Sequence, residues 1–328
     1  MRNYGLRTVS LVALAIFVTL PAVAAESGYK LVKTIDLPGD KGGHGDYVVF
    51  DADTSSIWIA QSPDHQVVVV DTTTNTVKGV IPGIANGNLI VTTPKYAFLN
   101  DADSTTVTVV DKRTLKPVGT FLVQGKTPDG MVYDPKTDQV YVTADETNDV
   151  TVVNAAPPFA PVAHFALQPD KPKDGPDVGT LAVGRIYQPV DNVVDIIDPV
   201  ANKVTSVWKP NVKGDVKPMV YDPKSKHLFA GTTDKKMLVL NASDGAQFAS
   251  IPLMGSVDQI SIDLARRRAF VGDKAGMVEV VDLDSNTIVN TIPSEKNMHT
   301  LAVDTKTHNV YVYRNQSNKM DVFSPPPS

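Results

Sequence analysis

The chain has 328 residues, 31 Lys and Arg against 36 Asp and Glu, a formal net charge of −5, and no cysteine. Without cysteine there is no disulfide framework, no thiolate metal site and no c-type haem attachment. The mild acidity argues against a nucleic-acid or anionic-membrane binder, and the length is enough to bury a large core without covalent staples.

The first residues read as a secretory signal. Arg2 and Arg7 precede an apolar stretch, Leu11–Leu20, and small residues lead through Ala22-Val-Ala-Ala25 to the polar pair Glu26-Ser27. That order places a cleavage site near Ala24 or Ala25 and makes residues 1–25 a signal peptide. Removing it takes away Arg2 and Arg7 and moves the net charge from −5 to −7. With zero cysteines, a bacterial periplasm or exterior is the expected compartment. No later apolar run approaches membrane length, so the mature chain is expected to carry no span.

From there on the chain repeats itself. A β-branched run closed by Asp, Asn or Ser recurs as Val67–Asp71, Val107–Asp111, Val150–Asn154, Val194–Asp198, Met237–Asn241, Val278–Asp282 and Met320–Ser324, at steps of 40, 43, 44, 43, 41 and 42 residues. A period of about 42 residues made of short strands and turn residues is the pattern of a β-propeller. The third unit shows its parts. Gly130–Asp134 is an inner strand, Pro135–Asp138 a turn, and Val140–Thr143 a second strand. A third strand, Asp149–Asn154, precedes an outer strand near Val162–Ala166.

The expected fold is therefore all-β. It has seven four-stranded antiparallel blades in a single domain spanning 26–328. The seventh unit, about Asn297–Ser324, ends after three strands, and Tyr29–Asp36 supplies the missing fourth, which closes the ring. Proline-rich insertions fall at 157–161 and 168–178. Blade four carries Pro189 in its second strand and is expected to be locally irregular.

Val140-Tyr-Val-Thr-Ala144, flanked by Val-Tyr-Asp-Pro and Val-Thr-Val-Val, resembles the YVTN repeat. Leu228–Gly231, Phe270–Asp273 and Val310–Tyr313 are weaker copies. Val257–Ile260 and His299–Asp304 look like the last two blades of YncE-like bacterial periplasmic propellers. The resemblance covers nearly all of the mature chain and implies the fold. It implies no catalytic set, because the repeat residues of this family are structural. Blades two and four depart most, each lacking the Asp-Pro turn.

No zincin helix, nucleophile elbow or phosphate loop is present. Asp51-Ala-Asp53 and Asp101-Ala-Asp103 resemble the start of a calcium loop but lack its glycine and late glutamate, and read as Asx turns. A propeller site is expected at the channel mouth, where inner strands begin. Counting back five residues from Asp51, Asp134, Asp222, Asp263 and Asp304 gives Asp46, Asp129, Lys217, Asp258 and His299. His44 precedes Asp46 by two, and the degenerate blades offer Asn86 and Asn88, and Asp177. His44, Asp46, Asn88, Asp129, Lys217, Asp258 and His299 are thus the candidate ligand-binding set. No catalytic residue, metal ligand or cofactor is assigned. His65, His164, His227 and His308 fall in turns or outer strands, and Trp58 and Trp208 read as packing between blades.

On the mouth face, loops of blades one to four carry Asp64, Asp101, Asp103, Asp145, Glu146, Asp149 and Asp191 with no Lys or Arg. The opposite face carries Lys112, Arg113, Lys116, Lys136, Lys203, Lys224, Lys226, Arg266, Arg267, Arg268 and Lys306. The pattern predicts an acidic crescent over a more basic underside. Three functions fit: a monomeric binding or scaffold protein with a protein or small-molecule ligand, a metal-assisted hydrolase or lyase of the lactonase kind, and a nucleic-acid binder. The first is preferred. The second rests on fold analogy and on the Asp and His rim, and the third lacks stacking aromatics.

Overall fold

A computed structural model describes Met1 and residues 28–39, 42–43 and 45–327. The expected signal peptide and His44 lie outside the described residues. Seven sheets of four antiparallel strands surround one axis, and strands are counted here outward from that axis. Blades one to six are each built from consecutive strands, starting at Val48, Ile90, Pro128, Thr180, Val216 and Val257. Blade seven combines Leu301–Val303, Val310–Arg314 and Lys319–Ser324 with Lys30–Asp36. The closing strand runs antiparallel to the last one, with Thr34 opposite Asp321 and Ile35 opposite Met320.

Burial explains the sequence pattern. Val67 to Val70 in the third strand of blade one are all buried, because both faces of the strand are covered by neighbouring blades. A doubly covered strand needs apolar side chains on both sides of the pleat, hence the continuous run rather than alternation. The outer strand Thr76–Pro82 alternates because it is wetted on one side. Seven hydrophobic clusters form, and each joins one blade to the next. Trp58 packs in the seam between blades one and two, and Trp208 in that between four and five, as their strand positions suggested.

Blade four has its irregularity in another place than expected. Its first strand is only Thr180–Ala182, preceded by an isolated bridge from Pro176 to Val190. Pro189 itself sits in full register, opposite Val194. Its missing N–H is tolerated, and its carbonyl accepts from the Asp177 N–H at 3.1 Å.

Salt bridges tie blades together below the seams. Lys112, from blade two, is 1% exposed and donates to Asp51 Oδ1 at 2.6 Å and Asp53 Oδ2 at 3.0 Å in blade one. Arg267 of blade six forks onto both carboxylate oxygens of Asp222 in blade five, each at 2.7 Å, and also reaches Asp284. These contacts hold the Asp222 carboxyl well below the usual range, against the opposing effect of its burial. The basic underside is accordingly weaker than the sequence count. Lys112 is buried, and Arg267 and Arg268 are matched by acids.

A second device fixes the crossovers. The third strand of an incoming blade offers a side-chain acceptor to the connection that enters it. Thr151 Oγ1 takes the Gln124 N–H at 2.9 Å, Asp195 Oδ2 that of Gln168 at 2.7 Å, and Glu279 Oε2 that of Met254 at 3.1 Å. Asp195 and Glu279 are almost fully buried, and burial pushes each carboxyl up to about 7, with Asp273 beside Glu279 adding to the second shift. Asp273 is itself fully buried and keeps an unpartnered Oδ2, which a proton on Glu279 satisfies.

Such acids take up a proton on folding at neutral pH. Their stabilisation is complete below the unfolded carboxyl value and is lost as pH rises through about 7. Glu279→Gln keeps an acceptor for Met254 and gives Asp273 a permanent donor. We expect it to raise stability at pH 8 by on the order of 2 kcal/mol and to leave it nearly unchanged at pH 4. Melting curves of both proteins across pH 4–8 check this, and parallel curves would contradict it.

Candidate functional site

The residues just before the inner strands, or at their second position, gather around the Tyr47 side chain at one end of the axis. Asp46, Asn88, Asp129, Lys217, Asp258 and His299 meet there, with Asp177 between them. Asn88 Nδ2 donates to Asp129 Oδ1 at 2.9 Å. Lys217 Nζ lies 3.3 Å from Asp177 Oδ2, and Lys274 Nζ lies 3.4 Å from Asp258 Oδ1. His299 is buried, with Nε2 at 3.0 Å from the Gly45 carbonyl and 3.5 Å from Asp258 Oδ2, and Nδ1 at 2.6 Å from the Asn297 carbonyl. A side chain on Gly45 would strike the Tyr313 ring, so this approach of blade seven to blade one requires glycine. Asn86 turns away and bonds Asp103 at 3.1 Å.

Sequence reasoning missed Tyr47. Its hydroxyl crosses the mouth from blade one and donates to the Asp258 carbonyl at 2.8 Å, with Asp177 Oδ1 3.3 Å away. Beneath it the Gln259 carboxamide spans the axis from blade six, donating to the Val48 carbonyl at 2.6 Å and accepting from the Val48 N–H at 3.2 Å. The signal was available. At the register where other blades place Gly130, Pro218, Gln259 and Thr300, only blade one has an aromatic ring.

The mouth is electrostatically crowded. Burial, then Asp145, Asp177 and Asp46, push the Asp129 carboxyl well above its ordinary value. Burial and Asp177 raise Asp145 to about 7. Burial also raises Asp177, against the opposing pull of Lys217. Burial and then Asp177, Asp258, Asp46 and Asp129 hold the Tyr47 phenol protonated far past its usual range. Burial and mutual repulsion thus favour the protonated forms of Asp129, Asp145 and Asp177. Among the described residues, no three Asp, Glu or His side chains come together closely enough to hold a metal ion. Of the Asp and His rim considered for a lactonase-like centre, Asp129 pairs with Asn88, Asp258 lies near Lys274 and His299, and His44 is outside the described residues.

Two cavities open beside this network. One, about 530 Å³, lies between the mouth loops of blades three and four and is lined by Asp145, Glu146, Asp170, Lys171, Lys173 and Asp174 among others. Its outer wall is the insertion at 168–178, held by Asp191, which accepts the Lys173, Asp174 and Gly175 N–H groups at 2.7, 2.9 and 3.2 Å. The other, about 320 Å³, lies across the mouth between blades six, seven and one. A groove of about 530 Å³ on the opposite face is lined by Arg266, Arg268 and His308, but Arg268 is matched by Asp282 and His308 by Asp263.

No protein-family model matches the chain, and no curated protein matches it. Among solved structures, hydrazine synthase of Kuenenia stuttgartiensis superposes with a TM-score of 0.76 at 16% identity, over 93% of this chain and 98% of that one. At that identity the likeness concerns shape, not chemistry. Among the described residues no helix is long and apolar enough to cross a membrane. By its own strand order and by this likeness, the chain is a seven-bladed β-propeller.

Proposed function

We propose that this propeller is an exported binding protein of the YVTN-repeat, YncE-like kind, working in a bacterial periplasm and docking a Lys- or Arg-rich protein segment on its mouth face. The observation that carries the reading is the cleft between blades three and four. Four acids line it, Asp145, Glu146, Asp170 and Asp174, against two lysines, Lys171 and Lys173, the second 3.5 Å from Asp174, and Asp191 holds its wall in place through three main-chain N–H groups. A preformed acidic cleft on a rigid scaffold suits a cationic segment, because little ordering cost is left for the binding step. The mouth network behind it supports binding rather than turnover. Its carboxylates have partners within the network, as in Asp177 with Lys217 and Asp129 with the Asn88 amide.

The test is a Lys-rich peptide titrated by fluorescence anisotropy. Glu146→Lys combined with Asp174→Lys is expected to weaken binding at least tenfold, and raising the salt is expected to weaken wild-type binding. Reversal of Asp36 and Asp244, which are exposed elsewhere, is expected to leave it unchanged. Equal affinity in all three proteins would refute the docking surface. Export is checked separately: protein recovered from a periplasmic extract is expected to begin at Ala25 or Glu26.

A further inference from the structure

The insertion at 168–178 walls a second cavity besides the acidic cleft. Pro169, Val193, Val207 and Pro210 line a groove of about 460 Å³, with Gln168, Asn192 and Lys209 beside them. That volume is within the range of ligand pockets. The groove continues the seam between blades three and four, to whose buried cluster Val193 belongs. Val207 is 38% exposed and stands opposite Asp195 in the outer strand pair of blade four. Opposite residues share a face of the sheet, so Val207 is on the side of the carboxylate that takes the Gln168 N–H at 2.7 Å.

The two cavities adjoin, and the ridge between them is fixed. Pro169 lines the groove, and the next residue, Asp170, lines the cleft. Asp195 holds Gln168, the Asn148 amide donates to the Pro169 carbonyl, and Asp191 holds Lys173, Asp174 and Gly175. Cleft and groove therefore keep a set spacing.

Their linings differ in kind. The cleft has four acids and two lysines, whereas the groove has no acid, and Lys209 is its only charge. A lysine or arginine of a partner finds no counter-charge in the groove. Two valines and two prolines instead offer contact to an aliphatic side chain. The Gln168 and Asn192 carboxamides both donate and accept, as a peptide main chain requires. An extended peptide advances about 3.3 Å per residue, so adjoining cavities of this size are reached by residues about two to four apart.

We infer that the partner segment carries, besides its cationic residues, one aliphatic residue that seats in this groove, about two to four positions from its lysines. The inference rests on the reading of the cleft as a docking site for a Lys- or Arg-rich segment, and it names the feature by which that site selects among such segments.

Fluorescence anisotropy with matched peptides tests it. One set is Lys-rich with a single Leu two, three or four residues from the lysines on either side. A second set has Ser in place of Leu, and a third keeps Leu and replaces the lysines by Gln. In its best register the Leu peptide is expected to bind about five- to tenfold more tightly than its Ser counterpart, the effect of burying most of one aliphatic side chain. Val207→Ser thins the wall and Val207→Trp fills the groove. Each is expected to remove that advantage and to leave the Ser peptide unchanged. Glu146→Lys combined with Asp174→Lys is expected to weaken the Leu and Ser peptides alike. Equal affinity of the two in every register, with both still weakened by the acid reversals, would overturn the groove and leave the cleft standing. A Leu advantage that persists in both Val207 variants would overturn its location. Gln peptides that bind as tightly as the lysine ones would overturn the coupling of the two cavities, and no binding by any peptide would overturn the cleft and the groove together.

Discussion

Lys112→Met is expected to destabilise the protein by about 3–5 kcal/mol, the usual result of removing one partner of a buried ion pair. The ammonium it deletes is 1% exposed and sits 2.6 Å from Asp51, a carboxylate almost as deeply buried. Methionine fills the same volume, so packing is kept and the loss is electrostatic. The exposed second acid, Asp53, can turn to water, but Asp51 cannot. A second variant isolates the cause. Lys112→Met with Asp51→Asn removes the stranded charge and keeps an acceptor for the Thr54 N–H, and it is expected to recover most of the loss. Urea unfolding measures both, and a single-variant cost under about 1 kcal/mol would show that the pair is dispensable.

Deleting residues 26–36 is expected to have a larger effect still. The strand Lys30–Asp36 supplies the outer edge of blade seven, the Thr34 hydroxyl bond to Asp321 at 2.6 Å, and Ile35 to the seam with blade one. Without it, Lys319–Ser324 becomes an open edge, and the ring loses the strand that latches the two chain ends within one sheet. The truncated chain is expected to lose its single cooperative melting transition and to aggregate on heating. Adding a synthetic peptide of sequence 28–38 in excess is expected to restore the transition in part. Calorimetry that showed unchanged melting for the truncated chain would mean that the joint contributes nothing.

The fold was legible because its signal is repeated. Strands covered on both faces must be apolar on both, so Val67–Asp71 and its copies stand out at a fixed spacing, and the missing strand in the last unit points to the first. The same register places the counted residues at one end of the inner strands. What the register does not give is which polar groups meet across blades. Lys112 reads as an ordinary turn lysine until Asp51, 61 positions away, is brought under it. Tyr47 reads as one more strand aromatic until Asp258, 211 positions away, receives its hydroxyl.

The joint between the ends also governs when folding can finish. Partners such as Thr34 and Asp321 lie 287 positions apart, so the first strand must wait for almost the whole chain before it finds its place. A nascent polypeptide of this design remains a series of unlatched sheets until its final residues emerge. The ring therefore locks last, after every blade that it encloses is already in hand.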